Sequence, residues 1–166
     1  VLVAEVERQR AAKAGEVERL LGLVEAELKA HPDDGNRWDG IAPIYMRLQR
    51  YKESADAFAN AIRILGPSAR RLAGFAEATV FAAKGVVTEP ARKAFEDLAK
   101  LEPERPEPKF WLALAKEQAG DVATARAEYQ SLLAAAPADA PWRPLVAERI
   151  AEIDAKSKDG AKGGGT

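Results

Sequence analysis

Aromatic residues and prolines recur along this chain at nearly constant spacing. The aromatic side chains Phe58, Phe95 and Tyr129 are separated by 37 and 34 residues. The prolines that follow them are 36 and 34 residues apart: Pro67, Pro103 and Pro137. A repeat of this length indicates a stack of copies of one small unit, because a single unit cannot bury its apolar face alone.

Within each unit, the residue types follow the order large, small, aromatic and proline. The first complete unit opens with apolar residues at helical spacing, i, i+3, i+4 and i+7: Trp38, Ile41, Ala42 and Tyr45. The second half of this unit and its later equivalents are Ser54, Phe58, Ala61 and Pro67, then Ala91, Phe95 and Pro103, then Ala125, Tyr129 and Pro137. A period near 34 residues with this order is the signature of the tetratricopeptide repeat (TPR), a pair of helices. We therefore predict an all-α fold, a right-handed TPR superhelix of about three helix pairs with a preceding helix and a C-terminal capping helix.

Glycine and proline positions divide the chain into three regions. We predict a helical extension over residues 1–14, the TPR domain over 15–156 and a disordered tail over 157–166. The predicted helices of the domain are 17–28, 36–49, 51–65, 69–84, 89–101, 107–119, 122–136 and 142–156. Thr88 is predicted to cap the helix that begins at 89 with its side-chain oxygen.

Composition excludes several classes of function. The chain has 47% hydrophobic and 31% charged residues, as in soluble globular proteins, and a formal net charge of −1 that provides no electrostatic basis for binding nucleic acid. There is no cysteine, and His31 is the single histidine, so no second ligand of either type could complete a haem or metal site. No catalytic triad, phosphate-binding loop or HExxH motif occurs. We therefore predict a protein that is not an enzyme and that uses no cofactor or metal.

The first helix of each TPR pair lines a concave groove, which is the predicted binding site. Counted from the repeat frame, its residues are Asn36, Asp39, Pro43, Met46 and Arg47 in repeat one, Arg70, Ala73, Glu77, Val80 and Phe81 in repeat two, and Glu107, Phe110, Leu114, Glu117 and Gln118 in repeat three. Phe110 and Leu114 would be exposed apolar side chains flanked by charge, as expected of a groove for an amphipathic helix. Alternatively, Phe81, Phe110 and Leu114 pack against neighbouring helices, and the sequence leaves both interpretations open.

Several segments are more specific than the repeat spacing. Residues 31–51 read His-Pro-Asp-Asp-Gly-Asn-Arg-Trp-Asp-Gly-Ile-Ala-Pro-Ile-Tyr-Met-Arg-Leu-Gln-Arg-Tyr, with a proline inside a helix. Residues 85–89 form an unusual loop, Gly-Val-Val-Thr-Glu, and residues 138–146 read Ala-Asp-Ala-Pro-Trp-Arg-Pro-Leu-Val. With residues 60–66 and 110–120, these segments resemble the CcmI family of cytochrome c maturation proteins, also called CycH, over about residues 17–153.

The resemblance implies a location and a set of partners. It implies the soluble C-terminal domain of a membrane-anchored protein in the bacterial periplasm, with the anchor absent from this chain, which begins at Val1 and is expected to be an excerpt. In this family the repeat domain holds apocytochrome c, chiefly its C-terminal helix, and delivers it to the haem-ligation complex with CcmF and CcmH. We therefore expect a peptide-binding chaperone module. The alternative is a generic TPR scaffold that docks a folded subunit of a membrane-associated complex, which would place exposed apolar surface on the convex face or on the helix of Trp142.

Overall fold

The computed structural model describes residues 1–163 of the chain. Over this range it consists of helices joined by short turns, without strands. The helices are α1 (Leu2–Ala30), α2 (Gly35–Arg47), α3 (Tyr51–Leu65), α4 (Ala69–Ala82), α5 (Glu89–Leu101), α6 (Pro106–Gln118), α7 (Val122–Ala135) and α8 (Arg143–Lys162). Helices α2/α3, α4/α5 and α6/α7 form the three predicted pairs, with α1 before them and α8 after them, so the predicted architecture is confirmed.

Three apolar cores lie in a row along the stack. The first core, between α1, α2 and α3, contains Leu21, Leu28, Ile41, Ala42, Tyr45, Ala57 and Phe58. The second core, between α4 and α5, contains Leu72, Ala73, Ala76, Val80, Ala91, Ala94, Phe95 and Leu98. The third core, between α6, α7 and α8, contains Ala113, Ala125, Tyr129, Leu132, Val146 and Ile153. The recurring aromatic side chains of the sequence pattern are therefore core residues, as the repeat frame predicts.

Neighbouring cores are joined by partly buried aromatic side chains. Phe75 packs against both the first and the second core. On α6, Trp111 packs against the second core and Phe110 against the third. These two adjacent residues therefore connect the last two cores through one helix.

Close approach between helices depends on small residues. Ala42, Ala76 and Ala113 have no exposed surface, as predicted for positions where the two helices of a pair meet. The contact at Gly74 on α4 is closer still, since a Cβ at this position would lie 2.3 Å from Cζ of the buried Phe58 ring. Only glycine therefore allows α4 to approach α3 this closely.

The turns inside the helix pairs share one positive-φ residue and one backbone hydrogen bond, and the second turn has Gly85 at a positive φ of 94° as well. In each turn a residue with positive φ follows the first helix, and these residues are Gln49 (59°), Lys84 (55°) and Gly120 (93°). The next backbone N–H donates back to the carbonyl five residues earlier, for example from Asp121 to Lys116 at 2.9 Å. This is the arrangement of the Schellman motif, in which glycine is the preferred residue at the positive-φ position.

Side chains cap some helices but not all of the predicted ones. Asp34, Ser68 and Asp121 accept hydrogen bonds from backbone N–H groups in the first turns of α2, α4 and α7. Thr88 occupies the N-cap position of α5, but its hydroxyl oxygen is buried and makes no hydrogen bond to the described residues. The predicted side-chain cap at Thr88 is therefore wrong.

The terminal helix α8 is attached to the stack by arginine side chains. Arg149 forms an ion pair with Glu117 on α6, and Glu117 also accepts a hydrogen bond from the hydroxyl of Tyr129 at 3.1 Å. Arg143 donates to the carbonyl oxygens of Leu133 and Ala136, at 2.8 and 3.2 Å, near the end of α7. The capping role predicted for this helix is therefore carried by polar contacts as well as by the third core.

Two predicted region boundaries differ from the structure. Helix α1 continues through Gly15 because a solvent-facing glycine costs only about 1 kcal/mol relative to alanine, and its neighbours favour helix. Helix α8 extends six residues past its predicted end at 156, through a solvent-exposed segment with lysines near its C-terminus, where they complement the helix dipole. Of the predicted tail, residues 164–166 lie outside the described range.

Candidate peptide-binding face

The first helices of the three pairs, α2, α4 and α6, lie on the same side of the stack, and we call this side the groove face. At one end of it, Asp39 on α2 forms ion pairs with Arg70 and Arg71 on α4. Arg71 donates to both carboxylate oxygens of Asp39, at 3.1 and 3.2 Å. Burial alone would raise the pKa of Asp39, but the hydrogen bond from Arg71 and the charge of Arg70 outweigh it and hold the pKa below its ordinary value. This cluster fixes α2 against α4.

In the middle of the groove face, Glu77 on α4 is hydrogen-bonded to Glu107 on α6. Burial, and then the hydrogen bond and charge of Glu107, raise the pKa of Glu77 to about 8. Arg105 donates to Oε2 of Glu107, at 2.8 and 3.2 Å. The other oxygen of Glu107, Oε1, is buried without a hydrogen-bond donor among the described residues other than a proton on Glu77. Burial and the neighbouring carboxyl group of Glu107 therefore both favour the protonated form of Glu77.

One helical turn further along, an aromatic row crosses the groove face. Phe81 on α4 contacts Tyr51 with ring centroids 5.2 Å apart and Trp111 on α6 at 6.3 Å. Trp111 is held in place because it stacks on Phe95 of the second core and meets the edge of Phe110. Phe81 has 43% of its surface exposed, which is high for a phenylalanine packed among other rings. The row therefore exposes apolar surface that a ligand could contact, and the buried ring of Phe95 supports it from below.

Beside the aromatic row, a cleft opens between α4, α6 and the start of α8. We call it the aromatic cleft, and its volume is about 490 Å³. It is lined by Glu77, Arg105, Pro106, Glu107, Phe110, Trp111, Trp142, Leu145 and Val146. One wall is apolar, with Leu145 half-exposed, and the carboxyl pair and Arg105 form the other. The aromatic cleft therefore suits an amphipathic segment.

Several of the predicted groove residues do lie together on this face. Asp39 meets Arg70, Glu77 meets Glu107, and Phe110 lines the aromatic cleft. Phe110 also packs against the third core, so the two interpretations left open by the sequence both apply to this residue. The remaining predicted positions on these helices are exposed or partly buried: Asn36, Pro43, Met46, Arg47 and Leu114.

Four predicted groove residues have structural roles instead. Val80 is fully buried and Ala73 nearly so, because both point into the second core. Glu117 is turned toward α7 and α8, where it binds Arg149 and Tyr129. Gln118 holds the loop before α5, since it donates to the carbonyl of Gly85 at 2.8 Å and accepts from the backbone N–H of Val87 at 2.9 Å. The predicted frame is therefore wrong for Val80 and Ala73 on α4 and at the last turn of α6.

The prediction missed the residues that complete the aromatic cleft, namely Trp111, Trp142, Leu145 and Arg105. Trp111 lies four positions after Glu107 on the same helix face, so its spacing from a predicted groove residue already indicated that it lines the groove. Trp142 caps the terminal helix and Leu145 lies in its first turn; the predicted groove did not include this helix, which was expected to cover the end of the stack or, under the scaffold alternative, to carry exposed apolar surface. That these two residues reach the groove face follows from the docking of α8, which the repeat pattern does not describe.

Neither a metal centre nor a membrane span occurs in the described part of the chain. Among residues 1–163, no three histidine, cysteine or acidic side chains are grouped so that they could bind a metal ion. No helix in this range combines the length and the apolar character needed to cross a bilayer.

Comparison with known proteins identifies relatives over most of the chain. A stretch of 140 residues is 43% identical to the cytochrome c-type biogenesis protein CycH of Rhizobium meliloti and 40% identical to the CycH protein of Bradyrhizobium diazoefficiens. The match covers 84% of this chain but only 37% and 38% of the two relatives, so the chain spans just over a third of their length. No family model matches the sequence.

Solved structures show the same fold at low sequence identity. The TPR domain of Sgt2 from Aspergillus fumigatus aligns with a TM-score of 0.59 at 17% identity, over 80% of this chain and 85% of that domain. The crystal structure of MamA aligns with a TM-score of 0.58 at 14% identity, over 84% of this chain and 87% of MamA. The TPR fold and the resemblance to CycH predicted from the sequence are both confirmed.

Proposed function

Since most of this chain is homologous to a segment of the CycH proteins, which are named for cytochrome c biogenesis, we propose that it is a protein-binding module that holds apocytochrome c during c-type cytochrome maturation. The observation that carries the proposal is the aromatic cleft, a preformed amphipathic site on the groove face of a TPR domain. A helix can place apolar residues against the cleft at i, i+3 and i+4, as in other helix-in-groove complexes. The bound segment is the C-terminal helix of apocytochrome c.

The same proposal includes a location and further partners. The domain acts in the bacterial periplasm as part of a membrane-anchored protein, and it transfers the bound chain to the haem-ligation subunits CcmF and CcmH. The name and the identity of the relatives support a place in this pathway, and co-purification of CcmF or CcmH with the full-length protein tests the transfer step. The chain acts by binding and not by catalysis, and it uses no cofactor of its own.

Isothermal titration calorimetry tests the binding proposal directly. A synthetic peptide of the C-terminal helix of a c-type apocytochrome is titrated into the chain, with a scrambled peptide as control. We expect saturable binding of the native peptide only. No heat and no chemical-shift change at about 1 mM peptide, which corresponds to about −4 kcal/mol, would contradict the proposal.

A matched pair of variants links the binding to the cleft. Leu145→Glu places a charge in the aromatic cleft at a half-exposed position, whereas Leu101→Glu changes a similarly exposed leucine on α5, outside the cleft. We expect Leu145→Glu to weaken peptide binding by about 2 kcal/mol, as for a central contact residue, with unchanged helical content. Leu101→Glu is expected to bind as the wild-type chain does.

One observation favours a second candidate function. Trp142 and Leu145 place apolar surface on the terminal helix, which is where a scaffold for a folded subunit would carry it. Under this alternative the chain binds a folded partner of the maturation machinery and fails to bind the isolated peptide. The same titration separates the two functions, because peptide binding that depends on Leu145 supports the chaperone role.

A further inference from the structure

The carboxyl pair of Glu77 and Glu107 lies one helical turn from the apolar wall of the aromatic cleft. On α6, Glu107 precedes Phe110 and Trp111 by three and four residues, so all three side chains emerge on the same helix face. A helix that binds along α6 and places an apolar side chain against these rings must therefore bring a residue one turn away close to the two carboxyl groups. The cleft thus specifies the chemistry of two positions in its ligand.

We propose that the occupant of the aromatic cleft is a helical segment with a positively charged side chain, lysine or arginine, one turn from a bulky apolar residue, and that this charge binds between Glu77 and Glu107. The inference rests on the proposed function and specifies which segment the groove face selects. It adds a charge requirement to a site that is otherwise apolar.

Charge and hydrogen bonding at the cleft support a cationic ligand. Arg105 already satisfies Oε2 of Glu107 and also binds Glu102, whereas Oε1 of Glu107 is buried without a hydrogen-bond partner among the described residues. The neighbouring carboxyl group of Glu77, whose pKa is raised to about 8, can donate its proton to Glu107. A lysine or arginine side chain supplies several donors and can serve both carboxylates at once.

Replacement of the proton on Glu77 by a cation has a measurable consequence. Because its pKa is raised to about 8, Glu77 would carry a proton at pH 7 in the free protein, and the bound protein would hold both carboxylates ionised against the positive charge. Binding would then release about one proton per ligand, because the pKa of Glu77 falls on complex formation. The charged groups facing Glu77 are Glu107 on α6 and Arg105 at the start of α6, and from α8 the cleft contributes only Trp142, Leu145 and Val146.

The test uses two helical peptides that differ at one position. Both carry the same apolar anchor, and one has lysine one turn away where the other has glutamine. Each is titrated at pH 7 in phosphate and in Tris, whose ionisation enthalpies differ, so that proton release is read from the difference in heat. We expect the lysine peptide to bind about tenfold more tightly than the glutamine peptide and to release about one proton, whereas the glutamine peptide releases none.

Glu77→Gln gives the corresponding change on the protein. Glutamine has the shape of the protonated carboxyl group and still donates to Glu107, so the fold is preserved, and Glu104→Gln on an exposed loop carboxylate is the control. We expect Glu77→Gln to abolish proton release and the preference for lysine while leaving the binding of the glutamine peptide unchanged.

The outcomes distinguish this inference from the proposed function. Equal binding of both peptides by the wild-type chain, without proton release, overturns the inference and leaves peptide binding intact. Failure of both peptides and of the cytochrome peptide to bind overturns the proposed function, and the inference with it. Persistence of the lysine preference in Glu77→Gln also overturns the inference, because the charge would then be recognised elsewhere.

Discussion

Gly74 on α4 lies directly against the ring of Phe58 on α3, so close that a Cβ at residue 74 would be 2.3 Å from Cζ of the ring. Phe58 is almost fully buried in the first core. The contact joins the first two repeats. In the sequence, its only sign is one glycine inside the predicted helix 69–84. The importance of the contact can be measured by adding one methyl group.

We expect Gly74→Ala to lower the free energy of unfolding by about 1–3 kcal/mol, because overpacking a buried contact costs more than the helix propensity of alanine gains. Gly40→Ala is the matched control, since Gly40 also lies within a helix but its Cβ would meet nothing within 4 Å. This control should raise the stability by up to about 1 kcal/mol. Urea denaturation of both variants, followed by circular dichroism, provides the comparison. A stable Gly74→Ala variant would show that α3 and α4 can separate without loss.

The positive-φ turns provide a second prediction. Gln49 and Gly120 occupy equivalent positions, with φ of 59° and 93°, but only glycine adopts this conformation without strain. Gln49→Gly is expected to stabilise the chain by up to about 1 kcal/mol, and Gly120→Ala to destabilise it by about 1–2 kcal/mol. Thermal melting curves of the two variants should therefore shift in opposite directions. Shifts of the same sign would contradict the shared turn conformation.

The carboxyl pair makes stability depend on pH. Because the pKa of Glu77 is raised from 4.5 to about 8, the folded chain retains a proton that the unfolded chain has released, and stability falls as the pH rises through this window. Glu77→Gln removes this loss. We expect its melting temperature to match the wild type at pH 5 and to exceed it by about 3 °C at pH 9, equivalent to about 1 kcal/mol after allowance for partial solvent exposure.

The pKa of Glu107 is lowered, against the effect of burial, by its hydrogen bond with Glu77 and then by Arg105, so protonation of Glu107 at acid pH acts in the opposite direction. The comparison at pH 5 and pH 9 lies largely above that range. Glu104→Gln serves as the control and should show no difference in melting temperature between the two pH values beyond that of the wild type. A Glu77→Gln variant that melts like the wild type at pH 9 would mean that the two carboxyl groups do not interact.

The attachment of α8 provides a fourth prediction. Glu117 is mostly buried where it meets Arg149, so Arg149→Ala leaves a carboxylate with only the hydroxyl of Tyr129 as partner and should cost about 1–3 kcal/mol. Arg126→Ala removes the more exposed pair with Asp154, at 2.7 Å, and should cost less than about 1 kcal/mol. Chemical denaturation gives both values. Equal losses would indicate that Glu117 is better solvated than its position suggests.

Sequence reasoning predicted the helices better than it predicted the groove face. The ends of α3 and α5 coincide with the prediction, since Gly66 and Pro67 follow α3, and Pro90 and Pro103 mark the two ends of α5. Val80 was predicted to line the groove but is buried in the core. One step along a helix rotates a side chain by about 100°, so an error of one position is enough to turn a groove residue into a core residue. The period and the boundaries of a helix depend on local residue types and can therefore be predicted from the sequence. The direction in which one side chain points depends on how neighbouring helices pack.

Phe110 shows the same limit in a different form. It lines the aromatic cleft and packs against the third core, so a charged substitution there would disturb binding and folding together. Leu145 separates the two effects because half of its surface is free. This residue could not be chosen from the sequence, since its helix lies outside the repeat pattern.

The adjacent residues Phe110 and Trp111 divide their packing between the third and the second core, and both line the aromatic cleft. In a repeat stack, each unit is stabilised mainly by its neighbours, and local unfolding can begin at an end. A helix bound in the cleft would contact both of these residues and α8, and so would oppose the separation of the last two cores. Ligand binding would thereby make the last two cores open together as one cooperative unit.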